Sequence, residues 1–135
     1  MSISLIQNDA LGKLILRLTL GALMLFHGVA KVLNPGSLEF IGKQLTNINL
    51  PHMLAYGVYL GEIIAPLMII LGIFSRIGGL LVAGTMVFAI VLVHSNELFS
   101  LTEHGGLALE LQFFYLLMGL TVFLLGSGKI AVKPD

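Results

Sequence analysis

The chain has 135 residues, of which 57% are apolar and 10% charged, and its mean hydropathy is +1.01. Soluble domains are about 45–50% apolar and about 25% charged, and a chain of this length has too little interior to hide so much apolar surface from water. The composition therefore excludes an ordinary soluble domain and intrinsic disorder, and it indicates the lipid bilayer as the main solvent. Seven basic residues balance seven acidic ones, so nucleic acid is not an expected partner. Cysteine is absent, which excludes disulfides, thiolate metal sites and a cysteine nucleophile.

Four apolar runs are each close to the ~20 residues that cross a hydrocarbon core ~30 Å thick. The predicted spans are 11–32, 53–74, 77–93 and 107–125. The first run lacks the basic start, short apolar centre and cleavage site of a signal peptide, so we interpret it as a membrane helix. Because backbone polar groups in lipid must be satisfied within a segment, we expect one all-α transmembrane domain over residues 1–135, an antiparallel four-helix bundle.

Two polar segments, 33–52 and 94–106, separate the apolar runs and are expected to lie outside the cell, the first containing a short helix. A two-residue polar break, Ser75-Arg76, joins the second and third runs as a hairpin. The basic residues are unevenly distributed between the two sides. One side carries Lys13, Arg76, Lys129 and Lys133, with Arg17 just inside the membrane, and the other carries Lys31 and Lys43. The positive-inside rule therefore predicts that both termini are cytoplasmic.

The first predicted helix carries four basic or imidazole side chains on one face. Lys13, Arg17, His27 and Lys31 fall within an arc of about 80° at 100° per residue. We expect Lys13 and Lys31 to extend from the helix ends to the two interfaces. Arg17 lies roughly 9 Å inside the helix start at 1.5 Å per residue, so we expect it to have an anionic partner.

The second predicted helix offers that partner near its middle. Glu62 is followed four residues later by Pro66, whose missing N–H leaves the carbonyl of residue 62 free and predicts a kink there. Arg17 and Glu62 are therefore predicted to form a buried ion pair. Two alternatives remain open at this point: the pair fixes helix register and nothing more, or it binds a polar headgroup or relays a proton.

A second group of polar side chains is predicted at the outer end of the bundle. His27, His94 and Glu110 lie within spans or at their edges, whereas the more exposed Glu97, Glu103 and His104 are interpreted mainly as loop polarity. Imidazoles and carboxylates together can exchange protons or hydrogen-bond a quinone carbonyl. The ligand-binding or proton-relay candidates are His27, His94, Glu110, Glu62 and Arg17, and no catalytic residue is identified. The spacing matches no metal motif, so neither metal nor haem is predicted.

Glycines in the spans indicate close helix packing, and Gly57 and Gly61 form a GxxxG pattern. The same pair would equally serve the contact surface of a homodimer.

In their order and spacing, these residues resemble the DoxX family of small four-helix membrane proteins. The matching positions are RLTLG at 17–21, FHGVAK at 26–31, Gly61-Glu62, GIFSR at 72–76, His94, Glu110 and GSG at 126–128. The resemblance implies an inner-membrane bundle with Arg17, Glu62 and Glu110 as family-like polar positions. It also implies quinone-linked oxidation, as in quinol oxidase and thiosulfate:quinone oxidoreductase membrane subunits, or membrane complexes that handle oxidative stress.

The first functional hypothesis is accordingly a quinone-linked redox or oxidative-stress subunit that acts with a soluble or membrane redox partner. Any thiol or sulfur chemistry would belong to that partner, because this chain lacks cysteine. The alternative is a non-enzymatic role, as a small transporter, an assembly factor or a structural membrane subunit.

Overall fold

The computed structural model describes residues 6–135, which are helical without any β-strand in that range. Five helices of twelve or more residues account for most of it. They are α1 (Asp9–Leu33), α2 (Gly36–Asn47), α3 (His52–Leu71), α4 (Ser75–Val93) and α5 (Glu110–Leu125). The predicted all-α class is confirmed, and the short helix expected in the first polar segment is α2.

Capping side chains and left-handed residues set the helix ends. The Asn8 side chain accepts a hydrogen bond from the Leu11 N–H at 3.0 Å and begins α1. Gly72 adopts φ +76°, a conformation that glycine reaches without steric cost, and it ends α3 three residues before the predicted boundary. Phe74 also has a positive φ, of 50°, and immediately precedes α4. The hairpin between α3 and α4 is therefore a three-residue turn.

Helices α1, α3, α4 and α5 share one apolar core. Its buried members are Leu20, Met24, Ala65, Ile69, Val82, Met86, Tyr115 and Val122. Helices α4 and α5 approach most closely at Gly79 and Gly119, where a Cβ on Gly79 would lie 2.5 Å from the Gly119 carbonyl oxygen. Small residues at a crossing point allow this approach, as expected where lipid supplies no hydrophobic force between helices.

Helix α2 forms a second, smaller core against the beginning of α3 and the end of α4. Leu38, Ile41 and Leu45 of α2 pack on Ala55 and Val58 of α3. This packing places α2 across one end of the four-helix core. The consequence for function is that α2 helps to enclose the space between α1, α4 and α5 described below.

Within residues 6–135, three helices are long and apolar enough to cross a membrane: Asp9–Leu33, His52–Leu71 and Ser75–Val93. The fourth apolar helix, Glu110–Leu125, has 16 residues and begins three residues later than the predicted span. Large apolar side chains also cover the outer surface, among them Phe26, Phe114, Leu117 and Leu124. Such a surface suits lipid and not water.

Candidate functional site: a polar cavity between the helices

Arg17 is 1% exposed. Its guanidinium donates hydrogen bonds to backbone carbonyls and not to the carboxylate that was expected as its partner. Its Nε donates to the Ile69 carbonyl at 2.9 Å, and Nη2 donates to the Ile70 carbonyl at 3.2 Å. Its Nη1 donates to the carbonyls of Ser127 at 2.9 Å and Ile130 at 2.6 Å. The last carbonyls of a helix have no partner within that helix. Arg17 therefore caps the end of α3 and fixes the segment after α5 against it.

The segment after α5 completes this end of the molecule. The Val132 and Lys133 N–H groups each donate at 3.0 Å to the carbonyls of Leu71 and Gly72. Arg76 donates from Nη1 to the Phe123 carbonyl at 2.9 Å, and its backbone N–H donates to Asp135 Oδ2 at 3.0 Å. Residues 126–135 thus tie the ends of α3, α4 and α5 together, far from the imidazole groups.

The predicted Arg17–Glu62 ion pair is wrong. Glu62 accepts a hydrogen bond from Lys31 Nζ at 2.7 Å instead. The depth of α3 against α1 explains the difference, because Gly28 lies so close to α3 that a Cβ there would collide with the Glu62 carbonyl. Gly28 is eleven residues beyond Arg17, roughly 16 Å along the helix, which exceeds the reach of a guanidinium.

Lys31 was also expected to extend to the membrane interface, and this prediction is wrong as well. Its side chain is 24% exposed and turns toward the 5%-exposed side chain of Glu62. A carboxylate buried among helices is costly without a cation, so the lysine is held inward. Lys13, at the other end of α1, forms a 2.8 Å ion pair with Asp9 one helical turn away.

A π-helical turn, Leu60–Ile64, carries Glu62 and ends just before Pro66. Pro66 has no N–H to donate to the carbonyl of residue 62. One residue earlier, the Ala65 N–H donates to the carbonyl of Leu60, five residues before it, and this bond defines the π turn. Proline therefore disturbs the hydrogen-bonding pattern at the predicted place, although the disturbance takes the form of a π turn. Such turns are frequent at functional sites.

A cavity of about 510 Å³ lies between α1, α2, α3, α4 and α5. It combines polar and charged groups with apolar and aromatic walls. The polar lining consists of His27, Lys31, Ser37, Glu62, Thr85, His94, Gln112 and Tyr115, and the apolar lining includes Met24, Phe40, Ile41, Val58, Met86 and Phe88. Two of the predicted outer residues, His27 and His94, thus share one space with the Lys31–Glu62 pair.

The two imidazoles occupy different surroundings within the cavity. The His27 ring packs edge-on against the buried Tyr115 ring, with centroids 5.6 Å apart and an interplanar angle of 83°. His94 Nδ1 is buried and has no hydrogen-bond partner within residues 6–135, since Glu97 Oε1 remains 3.7 Å away. A buried polar atom without a partner is costly. The His94 residue lines the cavity, but its Nδ1 has almost no accessible surface there.

The remaining predicted residues lie elsewhere. Glu110 is exposed in the first turn of α5, beside Gly106, and does not line the cavity that His27 and His94 share. Gly61 packs directly against Thr85, whereas a Cβ on Gly57 would meet no atom of the described chain within 4 Å. The polar lining residues that were missed are Lys31, Ser37, Thr85, Gln112 and Tyr115. Lys31 could have been found, because it shares the His27 face of α1.

These features define a class: a membrane protein of apolar helices around a ligand-sized cavity whose mainly apolar walls carry several polar side chains. The sequence model of the DoxX family matches residues 12–95. The chain therefore belongs to the DoxX family. It is also 31% identical over 129 residues to "Putative oxidoreductase CatD" of Bacillus subtilis (strain 168), covering 95% of this chain and 89% of that protein. No solved structure matches the chain.

Proposed function

We propose that this protein is a quinone-binding subunit of a bacterial inner membrane and acts with a partner oxidoreductase. The observation that carries the proposal is the cavity, which brings His27, His94, Gln112 and the Lys31–Glu62 pair to one apolar-walled space. Membership of a membrane protein family and similarity to a protein named as an oxidoreductase support the same function.

The chemistry of the cavity suits a quinone headgroup. A quinone ring is flat and largely apolar, with two carbonyl oxygens that accept hydrogen bonds at opposite ends. Ligand cavities usually have volumes of about 300–1,000 Å³ and apolar walls with a few polar groups. Here Met24, Phe40 and Met86 provide apolar contact surface, and His27, His94 and Gln112 are polar residues of the same lining.

The same residues can hold the protons that quinone chemistry requires. Reduction of a quinone to a quinol consumes two electrons and two protons. His27 and His94 carry imidazole groups, which can both donate and accept protons, and Lys31 and Glu62 form an ion pair in the same lining. The electrons would come from the partner, in keeping with the absence of cysteine in this chain. We expect neither haem nor metal, so the purified protein should show no Soret band.

A quinone dissolved in the bilayer can reach the cavity only if the helices lie in lipid. We propose that the chain has four antiparallel spans and that both termini are cytoplasmic. The end of the molecule tied by Arg17 and Arg76 would then face the cytoplasm. The cavity would open toward the outer half of the bilayer, beside α2. The uneven distribution of lysine and arginine supports this orientation.

Quinone extraction and add-back test the proposal. Lipids extracted from the purified protein should contain quinone by mass spectrometry. Tryptophan is absent from the chain, so Phe40→Trp places a single fluorescent reporter at the cavity wall. Added quinone should quench it saturably. In that background, His94→Ala should weaken binding about fivefold, the usual effect of one lost hydrogen bond.

The matched control is His104→Ala, since the His104 side chain is 89% exposed. It should leave the quinone affinity unchanged. A protein that retains no quinone and gives no saturable quenching would contradict the proposal, and a transport, assembly or structural role would then be favoured.

A further inference from the structure

A groove on the outer surface of α3 and α4 lies directly behind one wall of the cavity. It measures about 250 Å³, and its lining includes Leu54, Gly57, Leu80 and Gly84. Val58, Thr85 and Phe88 line the groove and the cavity alike. These three side chains therefore form the wall between the cavity and this outer surface of α3 and α4.

The groove continues along α4 into a larger hollow of about 570 Å³. The two share Gly84 and Phe88, and the hollow is walled mainly by apolar residues such as Val87, Val91 and Leu92. We call the two together the lateral groove. Phe88 borders the cavity and both parts of the lateral groove, so one aromatic ring stands where all three meet.

The chain itself does not fill the lateral groove. A Cβ on Gly57 or on Gly84 would meet no atom of residues 6–135 within 4 Å, whereas one on Gly61 would collide with Thr85. Helix α3 therefore packs tightly on α4 at Gly61 and leaves space one turn away. Because this space faces the acyl region of a bilayer, its occupant must be apolar and slender.

We infer that the lateral groove holds the hydrocarbon tail of a membrane quinone whose headgroup enters the cavity past Val58, Thr85 and Phe88. This inference rests on the proposed function and specifies its substrate class: a long-tailed quinone dissolved in lipid, in contrast to a tail-less quinone arriving from water. The cavity is sized for a headgroup, and a tail attached to that headgroup needs an exit through an apolar wall. The lateral groove adjoins the cavity at such a wall.

The test fills the lateral groove without disturbing the cavity. Gly84→Leu and Gly57→Leu place side chains in open space, and leucine favours a helix more than glycine does. The control is Gly12→Leu on α1, which also meets no atom of the described residues within 4 Å but lies away from the lateral groove. Each is made in the Phe40→Trp background and titrated in lipid nanodiscs with decylubiquinone and with its tail-less dimethoxymethylbenzoquinone parent, per mole of lipid.

We expect Gly84→Leu and Gly57→Leu to weaken decylubiquinone binding about tenfold, which the loss of on the order of ten carbon contacts would produce. Binding of the tail-less quinone should change less than about twofold, and Gly12→Leu should change neither. Equal effects on both quinones, or none on either, would overturn the lateral groove as the tail site while leaving the headgroup proposal intact.

Two further outcomes are decisive. If neither quinone quenches the Phe40→Trp reporter saturably, the proposed function fails and the tail site fails with it. If Gly84→Leu converts a dimer into a monomer by light scattering without a tail-dependent change in affinity, the groove is a contact between two copies of the chain, and the tail site is overturned.

Discussion

Lys31 Nζ lies 2.7 Å from Glu62 Oε1, so a cation near the end of α1 neutralises a carboxylate in the π turn of α3. The carboxylate is 5% exposed and the lysine side chain 24%. This pair, not one made by Arg17, is the charged element of the cavity. Removing one partner leaves the other charge buried, which is more costly than removing both.

Breaking the pair should therefore have an asymmetric effect on stability. Lys31→Met leaves the Glu62 carboxylate without its cation and should lower the free energy of unfolding by about 2–4 kcal/mol. The double variant Lys31→Met/Glu62→Gln removes both charges and should recover at least half of that loss. Denaturant unfolding in mixed micelles measures both. Additive losses in the double variant would show that the two side chains are energetically independent.

Arg17 should matter for stability and for the order of the segment after α5. Arg17→Met leaves the carbonyls of Ile69, Ile70, Ser127 and Ile130 without their donor and should cost about 3 kcal/mol or more. Limited trypsin digestion should then cleave rapidly after Lys129. In the wild type this lysine lies between Ser127 and Ile130, the two residues after α5 that Arg17 holds in place.

Lys13→Met is the control for Arg17, because Lys13 lies one turn away on α1 and its ion pair involves a largely exposed Asp9. Such a pair contributes about 0–1 kcal/mol. Equal protection of Lys129 in wild type and Arg17→Met would contradict the capping role of Arg17.

The crossing of α1 and α3 should be intolerant of a single methyl group. A Cβ on Gly28 would collide with the Glu62 carbonyl, so Gly28→Ala should lower the unfolding free energy by about 2 kcal/mol or more. Gly12→Ala, on the same helix but in open space, should instead raise it by about 0.5–1 kcal/mol through helix propensity. Similar effects of the two substitutions would rule out the close approach of Gly28 to α3.

Cysteine labelling can establish the orientation, because the chain has no native cysteine to remove. In intact cells, His104→Cys should react with a membrane-impermeant maleimide. Lys129→Cys should react only after the membrane is permeabilised. Both side chains are exposed to solvent or interface, so accessibility reports the side of the membrane and not burial. The reverse labelling pattern would invert the predicted topology.

Hydropathy was sufficient to predict the all-α class, since apolar runs of this length form helices whichever neighbours they have. The ends of α3 and α5 were less predictable. Gly72 stops α3 through a left-handed backbone conformation, which a hydropathy pattern does not encode. Residues 107–109 are apolar but precede α5, because the chain makes a turn there before Glu110.

Which side chains line the cavity depends on the relative depth of neighbouring helices, and spacing along the sequence does not reveal that depth. His27 and His94 reach the same cavity, as their expected depth suggested. The partner of Glu62 was mistaken because the estimated depth placed Glu62 within two turns of Arg17, whereas Glu62 lies beside Gly28, eleven residues further along α1. The contact between Gly28 and the Glu62 carbonyl fixes that depth, and it depends on three-dimensional packing.

The bonds of Arg17 also bear on how the chain assembles during synthesis. Two of its acceptors, the carbonyls of Ser127 and Ile130, belong to residues made 110 and 113 positions after it. Helix α1 is therefore made before any of the four acceptor carbonyls of this guanidinium exists. The ribosome completes α3 earlier, and its Ile69 and Ile70 carbonyls can hold the arginine in the interval. The end formed by residues 126–135 can therefore close only after the last helix has been made, and it closes on an arginine of the first helix.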